Sequence, residues 1–300
     1  MQYKSDIITV AVVNFKVKAG DKGQNLSRII DFSKSAAKRG ADLILFPEMC
    51  VAGYDYYVDD GIAQKEKWDM AETADGPACA KISEAAIENN IYIAAGMAEK
   101  DEKAGLLYNS AFVFGPEGKI GVYRKIHPFY TENAWCEKGE EPFMFDTKWG
   151  PVSVGICYDT YNFPELMRYY ASKGSRLYLN LTALSEKIDK ADSRQDFLDF
   201  YGPMLEYGVR CNTIFIASSN LTGKDKISYF GGGSCVIGPK ITPITEAERV
   251  HYYAGDKDNV QAGLFLATLD LSLARRILFT DNKFTGEPDY RPGIYKKFAE

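Results

Sequence analysis

Apolar and polar positions alternate along this chain with two periods. The run DIITVAVVNF (Asp6–Phe15) is apolar at nearly every position and reads as a buried strand. NLSRIIDFSKSAAKRG has the amphipathic spacing of a helix that ends at Gly40, and ADLILFPE reads as a strand stopped by Pro47. GPACAKISEAAIENN is again helical, with Pro77 in its first turn, and IYIAAGM is a buried strand. SAFVFGPEGKIGVYRK then predicts a hairpin about Gly115-Pro116-Glu117-Gly118, which makes the sheet mixed. Beyond PVSVGIC come a helix through PELMRYYASKG, a strand RLYLNLT, a helix through FLDFYGPMLEYGVR and a strand TIFIASSN. Further strands follow in GGSCVIG and AGLFLATLDL. Repeated β-α-β units with hairpins imply helices on one face of each of two sheets, or on both faces of one. No repeat, low-complexity tract or Pro/Gly/Ser linker divides the chain, so one domain spanning residues 1–300 is expected.

Composition narrows the class. Hydrophobic residues are 46%, charged residues 26% and the net charge is -5, with no basic patch of the kind nucleic acid requires. No run approaches the length of a membrane span, and the N-terminus lacks a basic start, apolar stretch and cleavage site, so a cytoplasmic protein without membrane partners is expected. The six cysteines are far apart without a C-x-x-C pair, and histidine occurs only at His127 and His251; disulfides, metal and cofactor are not expected. The sequons at Asn25, Asn180 and Asn220 read as chance.

Three strand ends carry residues that packing would not choose: Glu48 after LILFP, Lys125 after GVYR and Cys157 after SVGI. Each charge could point into solvent at a loop start, as most charged residues do. Alternatively, an acid, a base and a thiol meeting in one pocket compensate one another's burial. Val152, Val154 and Ile156 alternate along one strand face, while Pro164-Glu165 open a helix. Cys157 therefore stands at a sharp corner, where a helix N-terminus and a nearby base favour a thiolate. Cysteine is also a common core residue, and most of Cys50, Cys79, Cys136, Cys211 and Cys235 are expected to be core packing.

Taken in order, LILFPEMCVAGY, YRKIHPF and GICYDTYNFPE resemble the Glu, Lys and Cys signatures of the nitrilase superfamily of carbon-nitrogen hydrolases. The resemblance extends to YNSAFVFGPEGK, RCNTIFIASSN, FGGGSCVIGPK and YRPGIYKKF, covering nearly the whole chain. It implies an α/β fold, a four-layer α-β-β-α sandwich, assembled as a homodimer or higher homo-oligomer through its helical layers. It also implies that Cys157 attacks a carbonyl, that Glu48 takes the thiol proton and later activates water, and that Lys125 with the Tyr158 backbone N–H stabilises the oxyanion. A second glutamate of the family falls on Glu132, seven residues before Gly139, to hold Lys125 and help the amine depart. Glu137, Glu140 and Glu141 are close enough for a shifted register. His127 has no proton-transfer role in the family pattern.

Tyr158-Asp159 after the cysteine looks like the amidase and carbamoylase branches. Asn162 stands where many relatives have an arginine, which argues against a substrate carboxylate. The loop CVAGYDYYVDDG either borders the substrate entrance or forms a dimer edge or solvated loop. Tyr54, Tyr158 and Asn162 are the substrate-binding candidates. The expected activity is hydrolysis of a small-molecule amide or N-carbamoyl amide through a thioester. The alternatives are nitrile hydrolysis or acyl transfer at the same site, and a catalytically silent binding protein. No ammonia-consuming domain follows, so released ammonia is expected.

Overall fold

A computed structural model of the protein describes residues 3–187, 194–241 and 248–298. The first half runs β1 (Ile7–Asn14), α1 (Lys22–Lys38), β2 (Leu43–Leu45), α2 (Tyr54–Val58), α3 (Gln64–Met70), α4 (Pro77–Glu88), β3 (Tyr92–Asp101), β4 (Leu106–Gly115) and β5 (Gly118–Arg124). The second half adds β6 (Phe143–Thr147), β7 (Gly150–Ile156), α5 (Tyr158–Asn162), α6 (Pro164–Ser172), β8 (Leu177–Thr182), β9 (Ser185–Lys187), α7 (Arg194–Asn212) and β10 (Phe215–Asn220). It closes with β11 (Thr222–Lys224), β12 (Ser228–Gly231), β13 (Cys235–Ile241), β14 (Glu248–Gly255), β15 (Gly263–Asp270) and α8 (Pro292–Tyr295).

These strands form two six-stranded sheets, in the orders β15-β1-β2-β3-β4-β5 and β14-β13-β10-β8-β7-β6, and a small sheet β11-β12-β9. Each large sheet is mixed: β1, β2 and β3 run parallel, as do β7, β8 and β10, with antiparallel strands at the flanks. The period of two in β1 sorts its side chains between layers. Ile8, Val10 and Val12 join a core with Val152, Val154, Leu177 and Leu179 of the other sheet. Ala11, Val13 and Phe15 pack instead with Ile29 and Ala36 of α1 and with Ile82 and Ala85 of α4. On the far side Met167 and Tyr170 of α6 and Leu205 and Val209 of α7 cover the second sheet. The result is a four-layer α-β-β-α sandwich, as the resemblance implies.

Several boundaries differ from the sequence expectation for physical reasons. Helix α1 starts at Lys22 because Asp21 caps it, its Oδ1 accepting from Gln24 N at 3.0 Å. Helix α7 carries Pro203 inside it, and strands β6, β9, β11, β12 and β14 lack the apolar alternation that would have marked them. The segment after Glu48 is no solvated loop. It forms α2 and α3, with Tyr57 fully buried and its hydroxyl donating to Lys67 O. Asp55 is buried as well, accepting from Ile227 N, Ser228 N and Ser228 Oγ. Asn25, Asn180 and Asn220 are fully buried with their side chains hydrogen-bonded, which leaves no room for glycans. Among the described residues no helix is long and apolar enough to cross a membrane.

Candidate active site

Local sequence brings each functional side chain to the same end of the sandwich. Phe46 N still pairs with Ala94 O at 2.8 Å, but Pro47 has no N–H to continue the ladder, so β2 stops there and Glu48 turns inward. The turn requires Met49 at φ 53°. It also requires Gly96 on β3: a Cβ there would stand 2.6 Å from Glu48 Cα and from Met49 N. Lys125 leaves the end of β5 with its N donating to Asn109 O at 2.8 Å and its carbonyl accepting from Gly139 N at 2.7 Å. Glu132 lies in the short 3₁₀ turn Tyr130–Ala134.

Glu48, Lys125 and Glu132 are all buried, and Lys125 is hydrogen-bonded to both glutamates. Lys125 Nζ donates to Glu48 Oε1 at 2.7 Å and lies 2.9 and 2.8 Å from Glu132 Oε1 and Oε2. The two carboxylates are not equivalent. Both Glu132 oxygens are further occupied: Tyr54 OH donates to Oε1 at 2.8 Å and Phe129 N to Oε2 at 3.0 Å. Glu48 Oε1 takes a second bond from Asn109 Nδ2 at 2.7 Å, whereas Glu48 Oε2, equally buried, has no partner among the described residues.

Electrostatics follow from two carboxylates sharing one ammonium. Burial pushes the Glu48 carboxyl up to about 7, Lys125 holds it down, and Glu132 raises it again. Burial alone would discharge Lys125, but the Glu132 and Glu48 charges outweigh it and hold the ammonium well above its ordinary range. Burial, then the Glu48 charge, raises the Cys157 thiol, while Lys125 and the Thr182 hydroxyl oppose them. An unassisted thiolate is therefore disfavoured, and the thiol needs a base.

Cys157 occupies the step between β7 and α5 at φ 48°, ψ -100°, a conformation that costs a non-glycine residue about 1–3 kcal/mol. The surroundings hold it there: Cys157 N donates to Leu181 O at 2.8 Å, and Cys157 O accepts from Thr160 N at 2.9 Å. Cys157 is partly exposed as a residue, unlike the buried Cys50, Cys79, Cys136 and Cys235. Tyr158 N opens α5, where the first amides have no acceptor within the helix.

Other sequence candidates fall at different depths. Tyr54 is buried, with its hydroxyl on Glu132. Tyr158 is half-buried, edge-on to Phe129 and Phe163 at 5.1 and 5.2 Å, and Asn162 is exposed at the end of α5. Glu137, Glu140 and Glu141 are exposed, so the register falls on Glu132. Residue-type reasoning missed Asn109, which bonds both Glu48 and Glu132; the one signal was its place in YNSAFVFGPEGK. Asp159 was also missed as a buried acceptor tied to both motifs.

Comparison with known proteins identifies the family and the fold. The carbon-nitrogen hydrolase family model matches residues 9–275. Among curated proteins, the chain is 28% identical to a nitrilase of Pyrococcus abyssi over 92% of this chain and 94% of that one. It is 31% identical to the omega-amidase of Mus musculus over 75% and 79%. Among solved structures, an amidase from Nesterenkonia sp. superposes with a TM-score of 0.72 at 21% identity, covering 97% of this chain and 96% of that one. A mutant of that amidase with acrylamide added at its active-site cysteine aligns with a TM-score of 0.72 at 20% identity, over 97% and 99%. With the family model spanning almost the whole chain, this protein belongs to the carbon-nitrogen hydrolases, within the nitrilase superfamily.

Proposed function

We propose that the protein hydrolyses a small linear amide or N-carbamoyl amide, with Cys157 as nucleophile, Glu48 as general base, Lys125 as oxyanion donor and Glu132 as the group that holds Lys125. The observation that carries this reading is the asymmetry between the glutamates. Every Glu132 oxygen is engaged, so it positions; Glu48 keeps Oε2 available for a proton.

Glu48 accepts the Sγ proton as sulfur attacks the carbonyl carbon. The carbonyl oxygen becomes an oxyanion facing the Lys125 ammonium and the Tyr158 N–H. When the C–N bond breaks, the proton held by Glu48 goes to the departing nitrogen, leaving a thioester on Cys157. Glu48 then takes a proton from water, the hydroxide attacks the thioester, and the acid leaves as the thiol is restored. A Glu48 carboxyl near neutrality suits both steps, since a base is most effective close to the working pH.

Tyr54 fixes Glu132 through its hydroxyl and lines the interior side of the site, while Tyr158 and Asn162 lie toward its exterior. With Asn162 standing where many relatives carry an arginine, neutral or cationic amides are favoured over monoamides of dicarboxylic acids. Exposed Tyr169 on α6 and Phe200 and Tyr207 on α7 provide an aromatic face for self-association.

A panel of aliphatic and aromatic amides, dicarboxylic monoamides, N-carbamoyl compounds and nitriles, followed by ammonia release, tests the reading. Neutral or cationic amides are expected to turn over fastest. Nitriles outrunning every amide, or ammonia appearing only with an added acceptor amine, would replace it with nitrile hydrolysis or acyl transfer.

A further inference from the structure

Lys125 and Cys157 come from two separate segments, 123–127 and 156–159, whose relative placement sets how the Lys125 ammonium addresses the Cys157 sulfur. Backbone bonds anchor each segment to its own sheet: Lys125 pairs with Asn109 on β4, and Cys157 with Leu181 on β8. Neither of these bonds joins the two segments to each other.

Asp159 joins the two segments. Its carboxylate is fully buried and accepts four hydrogen bonds. Oδ2 accepts from Tyr123 OH at 2.8 Å and from Ile156 N at 3.1 Å. Oδ1 accepts from His127 N at 3.0 Å and is 2.8 Å from His127 Nδ1, which donates as the protonated ring nitrogen. The donors bracket the reactive groups: Tyr123 lies two residues before Lys125, His127 two after it, and Ile156 immediately before Cys157. The His127 ring is clamped further by stacking on Phe163, with centroids 3.5 Å apart and planes within 5°. Phe163 in turn meets Tyr158 edge-on.

We propose that Asp159 is a positioning residue that clasps the lysine strand to the nucleophile corner and so fixes Lys125 against Cys157. The proposal rests on the amide-hydrolase reading above. Two features point past mere packing. Burying a carboxylate is costly unless donors surround it, and here the donors are drawn from the two segments that carry the chemistry. The corner is also held at a strained φ, which persists only where the surroundings over-determine it.

Asp159→Asn tests the clasp, because an amide presents an acceptor to only one pair of donors. Whichever way it turns, its NH2 group faces donors on the other side. Tyr123→Phe and His127→Gln each remove one side-chain donor while keeping a side chain in place and leaving the His127 backbone N–H on Oδ1, and they carry the test should Asp159→Asn fail to fold. Two readouts below the melting temperature are required: kcat and KM on an amide that the wild-type enzyme turns over, and the rate of Cys157 alkylation by iodoacetamide measured on its peptide. Cys211, partly exposed on α7, serves as the internal control.

The expected result is a kcat lowered by about 10- to 100-fold with KM little changed, as for misplacement of reacting groups by about an ångström. Cys157 alkylation should change in rate while Cys211 alkylation does not. The Tyr123→Phe, His127→Gln double variant should lose no more kcat than Asp159→Asn, since both donors act through one carboxylate. Variants that melt earlier but keep wild-type kcat and alkylation would overturn the proposal and leave Asp159 a structural acid. A wild-type enzyme that turns over no amide would overturn the function reading instead, and the alkylation rates would still judge the clasp.

Discussion

Glu48 and Glu132 share one ammonium, that of Lys125, at 2.7 and 2.8 Å, yet only Glu132 has both oxygens fully engaged. Glu48→Gln removes the base and should abolish turnover. Glu132→Gln keeps an acceptor for Lys125 but gives up one charge and faces the Phe129 N–H or Tyr54 OH with a donor. Its kcat should fall by roughly 10- to 1000-fold, with the Cys157 acyl adduct still forming slowly. Steady-state rates together with single-turnover acylation separate the two variants.

The pH dependence follows from the raised Glu48 carboxyl. As a base it works only when deprotonated, so kcat/KM should rise with pH through an apparent value near 7. Stability runs in the opposite direction. A carboxyl whose folded value exceeds its unfolded value favours folding below the unfolded value, and that contribution is lost as pH rises to about 7. Glu48→Gln mimics the protonated form, so its Tm relative to wild type should improve between pH 5 and pH 8, as read by thermal melts.

Lys125→Met tests the ammonium. Loss of an oxyanion donor costs about 100- to 1000-fold in kcat, with little change in KM. Two buried carboxylates are then left facing each other, so the variant should also melt earlier at pH 8, and by less at pH 5, where protonation relieves the repulsion. A change confined to KM would make Lys125 a substrate-binding group instead.

Gly96 tests how the fold positions Glu48. A methyl there meets backbone atoms of Pro47, Glu48 and Met49 at 2.6–2.7 Å, none of which can rotate away. Gly96→Ala should cost about 1–3 kcal/mol and lower kcat by displacing Glu48. Gly40→Ala is the control: at φ +85°, with nothing within 4 Å, it should cost stability through backbone strain while leaving kcat unchanged.

Glu48, Lys125 and Cys157 stood out in the sequence because each is in a short motif at the end of a strand, whereas Glu132, in the 3₁₀ turn Tyr130–Ala134, was reached only through the family resemblance. The long helices and most of the longer strands were legible from their period, while β6, β9, β11, β12 and β14 were not. The partners were not. Asn109 reaches Glu48 because β4 lies against β3 with Asn109 opposite Ala98, and Asp159 reaches Tyr123 and His127 across the gap between sheets. Register and sheet stacking are non-local, and no windowed pattern contains them. Helices α2 and α3 stayed hidden for a different reason: CVAGYDYYVDDG shows no helical period and reads as a loop, whereas Tyr57 and Asp55 make interior hydrogen bonds. The expectation that Cys50, Cys79, Cys136 and Cys235 are packing residues agrees with their burial, while Cys211 is partly exposed.

The measurement that bears most directly on the whole account is intact-protein mass spectrometry of an acid-quenched reaction with a turned-over amide, followed by peptide mapping. The account predicts a covalent species heavier by the acyl group, located on the Cys157 peptide, absent from a folded and inactive Cys157→Ala protein and unaffected by Cys50→Ala. Turnover by Cys157→Ala, or an acyl group carried on any other residue, would contradict it.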